Sequence, residues 1–272
     1  MKKTAALILV ISLCACLCSC SGSLIDTVKG YLGKETVERP ADYIETKQNE
    51  LYEYDVHKKY IVLVEYLGSE PDVVVPTEID GKPVTVIGSS CFYRNTALQT
   101  VIVPEGIQTI ENAAFYCCSS LRRAKLPESC TSYGEKLFSW CTSLEEIILP
   151  SGMTEIPDYA FNYCSSLTDI VWNSTVTHIG VRAFSFCEGL TSVEIPESVL
   201  TIDEFAFYEC GTLQSVTLPP HTVYAPTAFN ECEQATVSGG VVQTEVSDVS
   251  EISQESQAGE SIGEEISQTV SE

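Results

Sequence analysis

Phenylalanine recurs every 23 residues through the middle of this chain, at Phe92, Phe115, Phe138, Phe161, Phe184 and Phe207. Leucine keeps the same step at Leu98, Leu121, Leu144, Leu167, Leu190 and Leu213, and cysteine at Cys118, Cys141, Cys164, Cys187 and Cys210. Three residue types locked to one period mean a stacked repeat. One such unit cannot bury its apolar side alone and does so only against copies of itself. The architecture is therefore constrained before any motif is sought. The function is not, because a solenoid's ligand is set by surface positions that do not repeat.

A single rung shows how the stack is built. Leu190, Val193, Ile195 and Pro196 open a short strand in which Val193 and Ile195 alternate inward. Pro196 cannot donate to a ladder, so the strand ends there. Val199 and Ile202 form the next inward pair, and Ala206, Phe207 and Cys210 close the rung through a short helical or 3₁₀ segment. Regular rungs start at Leu98, Leu121, Leu144, Leu167 and Leu190. The rung at Leu213 is one residue short, so Phe229 and Cys232 arrive early. Upstream, residues 60–64 and 73–76 are rich in strand formers. Val84, Ile87 and Phe92 precede Ile107, Ile110 and Phe115 by one period, while Pro76 is displaced by an insertion. Residues 51–97 thus read as a cap with a degenerate first repeat, and residues 98–238 as the repeats proper.

The ends differ in composition. Met1, Lys2 and Lys3 precede an uncharged run at residues 5–13, which is too short to span a bilayer and reads as a secretory signal peptide over residues 1–19. The stretch from Leu17 to Cys20 resembles a bacterial lipobox, with Cys20 as the lipidated residue; Cys16, at the end of a similar stretch, is the alternative. That resemblance implies more than one acyl chain and hence stable anchoring. Residues 20–50 then serve as lipid anchor and flexible tether. Plain cleavage and secretion is the competing expectation. Residues 239–272 hold eight acidic side chains, no Lys or Arg and no aromatic, and read as a disordered acidic tail.

Repeats of this length with L-x-x-L-x-L spacing are leucine-rich repeats. The Pro after the strand, the Ala-Phe pair and the Cys three residues after Phe resemble the BspA-like bacterial class, over residues 60–233. The resemblance implies a right-handed solenoid with short parallel strands on one face: about six regular rungs and an irregular N-terminal cap. It also implies bacterial surface-exposed proteins, often adhesive or protein-binding. Asn173 in place of Pro, Tyr133 in place of Ile and Leu137 in place of Ala are expected to distort a rung without breaking the fold.

A formal charge of −23, from 38 acidic and 15 basic residues, repels phosphate backbones and argues against nucleic acid as a partner. Stacked rungs lie ~4.8 Å apart, and disulfides need Cβ atoms at roughly 3.5–4.5 Å. The ladder cysteines therefore read as buried thiols acting as small hydrophobes. Cys91, Cys117 and Cys130 are the candidates for exposed or paired thiols. No C-x-x-C pair or nearby histidine cluster completes a metal site, since His57, His178 and His221 are far apart. Neither a nucleophile elbow nor a phosphate-binding loop is present in the sequence, so no enzyme activity and no cofactor are expected. Asn173, Ser174 and Thr175 match a glycosylation pattern by chance.

What can recognise a ligand lies in the outward columns of the strands. One column is Thr100, Arg123, Glu146, Asp169, Ser192 and Ser215; the next is Ile102, Lys125, Ile148, Val171, Glu194 and Thr217. Arg123, Lys125, Glu146, Ile148, Asp169 and Val171 are the ligand-binding candidates, a polar rim around a small apolar patch. The competing account is charge pairing of Arg122, Arg123 and Lys125 with Glu145 and Glu146, worth ~0.2–1 kcal/mol per pair. Trp140, Tyr163 and Phe186 form a second candidate patch, since aromatics concentrate at binding hot spots, or else they pack over the turn edge. The expected function is non-catalytic recognition of a protein or glycan partner by an exported, lipid-anchored, extracellular-facing protein. A structural envelope or spacer role is the alternative.

Overall fold

The computed structural model describes residues 40–243. The signal segment, Cys16, Cys20 and residues 244–272 lie outside the described residues. Every rung contributes one short strand to each of two parallel ladders, and no helix occurs among the described residues.

The first ladder runs Asp72–Val74, Thr100–Ile102, Arg123–Lys125, Glu146–Ile148 and Asp169–Val171. It resumes as a second sheet of Ser192–Glu194, Ser215–Thr217 and Thr236–Ser238. Pairing is parallel and in register, Glu146 with Asp169 and Ile148 with Val171, so equivalent residues of successive rungs align in columns. The other ladder includes Lys82–Ile87, Thr109–Ile110 and Ser132–Tyr133. It resumes through Glu155–Ile156, His178–Ile179, Thr201–Ile202, Val223–Tyr224 and Val241–Val242.

The two interruptions fall at the predicted departures. One follows Tyr133, whose half-buried ring stands in a column of Ile110 and Ile156 and whose hydroxyl donates to Cys130 O at 3.1 Å. The other follows Trp172 and Asn173. The Asn173 amide does the turn's work in place of proline. Its Nδ2 donates to Met153 O at 3.1 Å, and its Oδ1 accepts from Thr175 N at 2.8 Å and Val176 N at 2.9 Å.

The phenylalanine step becomes a continuous buried stack. Ring centroids lie 5.0 Å apart for Phe92 and Phe115, 5.2 Å for Phe115 and Phe138, and 5.1 Å for Phe161 and Phe184, all near-parallel. This is the strand spacing set by backbone hydrogen bonding, carried into the core. The stack continues into Phe229 at 5.3 Å and, at the other end, into Tyr66 at 4.9 Å.

Each ladder cysteine donates its thiol to the carbonyl of the preceding rung's phenylalanine, as Cys141 does to Phe115 O at 3.1 Å and Cys187 to Phe161 O at 3.2 Å. Burial pushes the thiols of Cys141, Cys164 and Cys187 well up, so they stay protonated donors. Cys91 and Cys130 are not exposed or paired. Both are fully buried thiols, Cys91 in the column of Ala114 and Ala160, Cys130 in the column of Ile107 and Val176. Cys117 is buried too.

The rung closes through consecutive turns, not through the helical or 3₁₀ segment that the spacing suggests. Ala113 and Cys117 have φ of 57° and 60°, and the same two positions are left-handed in the following four rungs. A left-handed residue every fourth position cannot propagate a right-handed helix.

Two boundaries also differ from expectation. Tyr43–Gln48 is a strand paired with Tyr52–His57, so the ordered cap begins inside the segment read as tether. The latter strand pairs antiparallel with Ile61–Tyr66, which meets Lys82–Ile87 in parallel and caps the stack. At the far end the solenoid runs past residue 238, because Val241–Val242 pairs with Val223–Tyr224. Gly239 makes this possible: its φ is 81°, and a Cβ there would sit 2.0 Å from Leu218 O.

Candidate recognition surface

Alternation along each three-residue strand puts the middle residue in the core and turns the outer two to solvent. In Glu146–Ile148, Ile147 is fully buried while Ile148 is 58% exposed. The register stacks these outward residues. Val74, Ile102, Lys125, Ile148 and Val171 form one column, and Asp72, Thr100, Arg123, Glu146 and Asp169 the other.

Four of the six sequence candidates meet. Arg123, Lys125, Glu146 and Ile148 line a shallow groove of about 380 Å³, together with Ile102 and Pro150. Val171 extends its apolar column on the neighbouring strand, and Asp169 lines a different cleft on the far side of its strand.

Val74, 65% exposed, is the member that sequence reasoning missed. An insertion shifts its strand out of the 23-residue step, and only its parallel pairing with Thr100–Ile102 reveals the column. The insertion is a small hairpin, Glu78–Ile79 against Lys82–Ile87, turning at Asp80 and Gly81.

The charge-pairing account holds for one pair. Arg122 Nη1 lies 3.9 Å from Glu145 Oε1, with both side chains well exposed. Among the described residues, no salt bridge joins Arg123 or Lys125 to Glu146. Arg122 and Glu145 precede their strands, whereas Arg123 and Glu146 are directly opposite, outward-facing neighbours on them. Beside the groove, carboxylates tie rung to rung. Glu105 accepts from the amides of Glu128 and Ser129 at 3.0 Å, which holds its carboxyl below the usual range, and Glu128 accepts from Ser151 N at 2.7 Å.

The aromatic candidates also come together, in a different way. Trp140 and Tyr163 stack at 3.9 Å and Tyr163 and Phe186 at 4.1 Å, all nearly parallel. Each sits at a left-handed turn position, with φ of 63°, 59° and 60°, and each is half-buried. Tyr208 meets Phe186 edge-on at 5.5 Å, and the Arg182 guanidinium lies 5.2 Å from the Tyr208 ring. The facing ring surfaces thus cover one another along the turn edge.

The other chemistry looked for in the sequence stays dispersed. His57 stacks on Tyr60 in the cap, His178 contacts Asp203 at 3.2 Å, and His221 bonds Glu197 O at 3.0 Å. Among the described residues no cluster of three or more His, Cys, Asp or Glu is placed to hold a metal ion.

These rungs match a known repeat. The BspA type leucine rich repeat region matches in six copies, over residues 77–179 and 154–238. The chain belongs to the BspA-type leucine-rich repeat family. Solved structures with related architecture include a T. pallidum leucine rich repeat protein, 29% identical, covering 73% of this chain and 84% of that one, with a TM-score of 0.48. A leucine rich cell surface protein from Faecalibacterium prausnitzii A2-165 is 15% identical over 76% of this chain and 97% of that one, TM-score 0.38. The pneumococcal vaccine antigen PcpA is 16% identical over 73% and 85%, TM-score 0.35. No curated protein matches the chain.

Proposed function

We propose that this BspA-type repeat protein is a non-catalytic recognition protein displayed on the bacterial surface. Its lipid anchor is Cys20, or Cys16, and its outward strand face captures a protein partner in an adhesion-like role. The observation that carries this reading is the column Val74, Ile102, Ile148 and Val171. Four solvent-facing aliphatics on adjacent strands are interrupted only by Lys125 and flanked by Arg123, which makes no salt bridge among the described residues. Scattered exposed aliphatics are ordinary, whereas an aligned set with a polar rim is the anatomy of an interface. Arg123 and Lys125 favour a partner with an apolar segment beside acidic groups. A protein fits this better than a glycan, because the groove lining holds no aromatic ring.

The test is a pull-down with the full chain against host and envelope extracts, repeated with Arg123→Glu and Ile148→Asp. The expected result is a partner retained by the parent and lost by both variants, with melting temperatures unchanged. Retention of nothing above background, or retention that both substitutions leave untouched, removes this reading in favour of an envelope spacer.

A further inference from the structure

Two neighbouring strands of the first ladder fail to meet. Asp169–Val171 closes one sheet and Ser192–Glu194 opens the next, and no backbone hydrogen bond joins them among the described residues. The same two rungs are joined everywhere else. At the turn edge Phe184 N donates to Ala206 O at 2.7 Å and Phe186 N to Tyr208 O at 2.8 Å. In the other ladder His178–Ile179 pairs with Thr201–Ile202. The seam is therefore open on one side only.

One side chain distinguishes this seam from the other rungs. In the other rungs the residue just before the turn is Val, Leu or Ile, and most of these donate to the next rung. Val103 N bonds Lys125 O at 2.9 Å, Leu149 N bonds Val171 O at 3.0 Å and Ile195 N bonds Thr217 O at 2.9 Å. At the seam this position is Trp172, whose amide makes no such bond. Its indole packs edge-on to Phe184 of its own rung at 5.8 Å, half-buried against the core where the other rungs carry Val, Leu or Ile. At this open seam lies a cleft of about 520 Å³ whose walls include Asp169, Ser192, Glu194, Glu197 and Trp172, with no Lys, Arg or His in its lining.

The geometry points to an insertion site for an extended peptide strand carrying lysine or arginine. Unsatisfied strand edges are templates for another chain, and strand addition draws its affinity from main-chain hydrogen bonds. The carboxylates of Asp169 and Glu194, on the two facing strands, supply a negative rim that selects cationic side chains; Glu197 stands at the cleft's end, 3.9 Å from His221. The chain's own acidic C-terminal segment, without one Lys or Arg, and a second copy at −23 are both repelled. The occupant is therefore a foreign cationic segment, and the site is separate from the Arg123 groove.

Fluorescence polarisation of a labelled alternating Lys-Val peptide against the full chain tests this. Binding is expected, falling severalfold in Glu194→Gln, weakening with salt, and absent for a Glu-Val peptide. Methylating alternate peptide amides should abolish it, because strand addition needs those donors. Trp172→Leu installs the side chain of other rungs and should close the seam, losing binding while the melting temperature holds or rises. No binding of the Lys-Val peptide overturns the inference. So does equal binding of the N-methylated peptide, or of a folded Trp172→Leu chain.

Discussion

Removing one ring from the middle of the phenylalanine stack tests the repeat's energetics directly. Phe161 is fully buried between Phe138 at 5.7 Å and Phe184 at 5.1 Å. Its carbonyl accepts the Cys187 thiol and its amide donates to Ala183 O at 2.8 Å. Phe161→Ala leaves those backbone groups in place and deletes the ring. Burial and cavity terms together make such a change cost ~3–5 kcal/mol. The two lost ring pairs fall within that range, at ~0.5–1.5 kcal/mol each beyond area. For a domain of this size each kcal/mol lowers the melting temperature by about 2–4 °C, so a fall of roughly 6–20 °C is expected. The end of the stack provides the control. Phe229 is only half-buried and has one phenylalanine neighbour, Phe207 at 5.3 Å. In a one-dimensional array, stability sums over nearest-neighbour interfaces, so Phe229→Ala should cost markedly less. Thermal and denaturant melts followed by circular dichroism on the full chain measure both. A Phe161→Ala shift no larger than that of Phe229→Ala would refute the stacked-interface argument.

Two further predictions concern the ends and the thiols. Native-state titration with a thiol reagent should leave the ladder cysteines unreactive until unfolding, with Cys232 as the exception. It sits in the last rung of the phenylalanine stack and is the one ladder thiol with measurable exposure, 8% against 0% for the others, so mass mapping should find it labelled first. Gly239→Ala places a Cβ against Leu218 O in a left-handed residue, at ~1–3 kcal/mol of strain. Hydrogen exchange should quicken in Val223–Tyr224 and Thr236–Ser238 while the strands around Phe138 stay protected.

Much of the candidate surface was legible because parallel in-register pairing maps a sequence period onto a spatial column. Once Phe92 to Phe207 set the step, Arg123, Glu146 and Asp169 had to align, and the structure aligns them. The reading failed wherever the step did. Val74 was missed because a hairpin insertion lies between it and the first regular rung. The strands Tyr43–Gln48 and Val241–Val242 fell outside the expected boundaries because neither carries the repeat's signature, and each is held only by its pairing partner. Cys91 and Cys130 were misread because their burial follows from the columns they occupy, not from the cysteine period.

The sequence by itself determined the stack, its period and the inward residues, because an apolar pattern repeated six times has one economical burial, against its own copies. Tertiary structure alone decided which charges remain unpaired, where the ladders part and which aromatic faces are covered. Those outcomes depend on how one rung's side chains fit the next. A tryptophan in an aliphatic slot reads in the sequence as one more apolar residue. In the stack, Trp172 lines the open seam between the strands of Asp169 and Ser192.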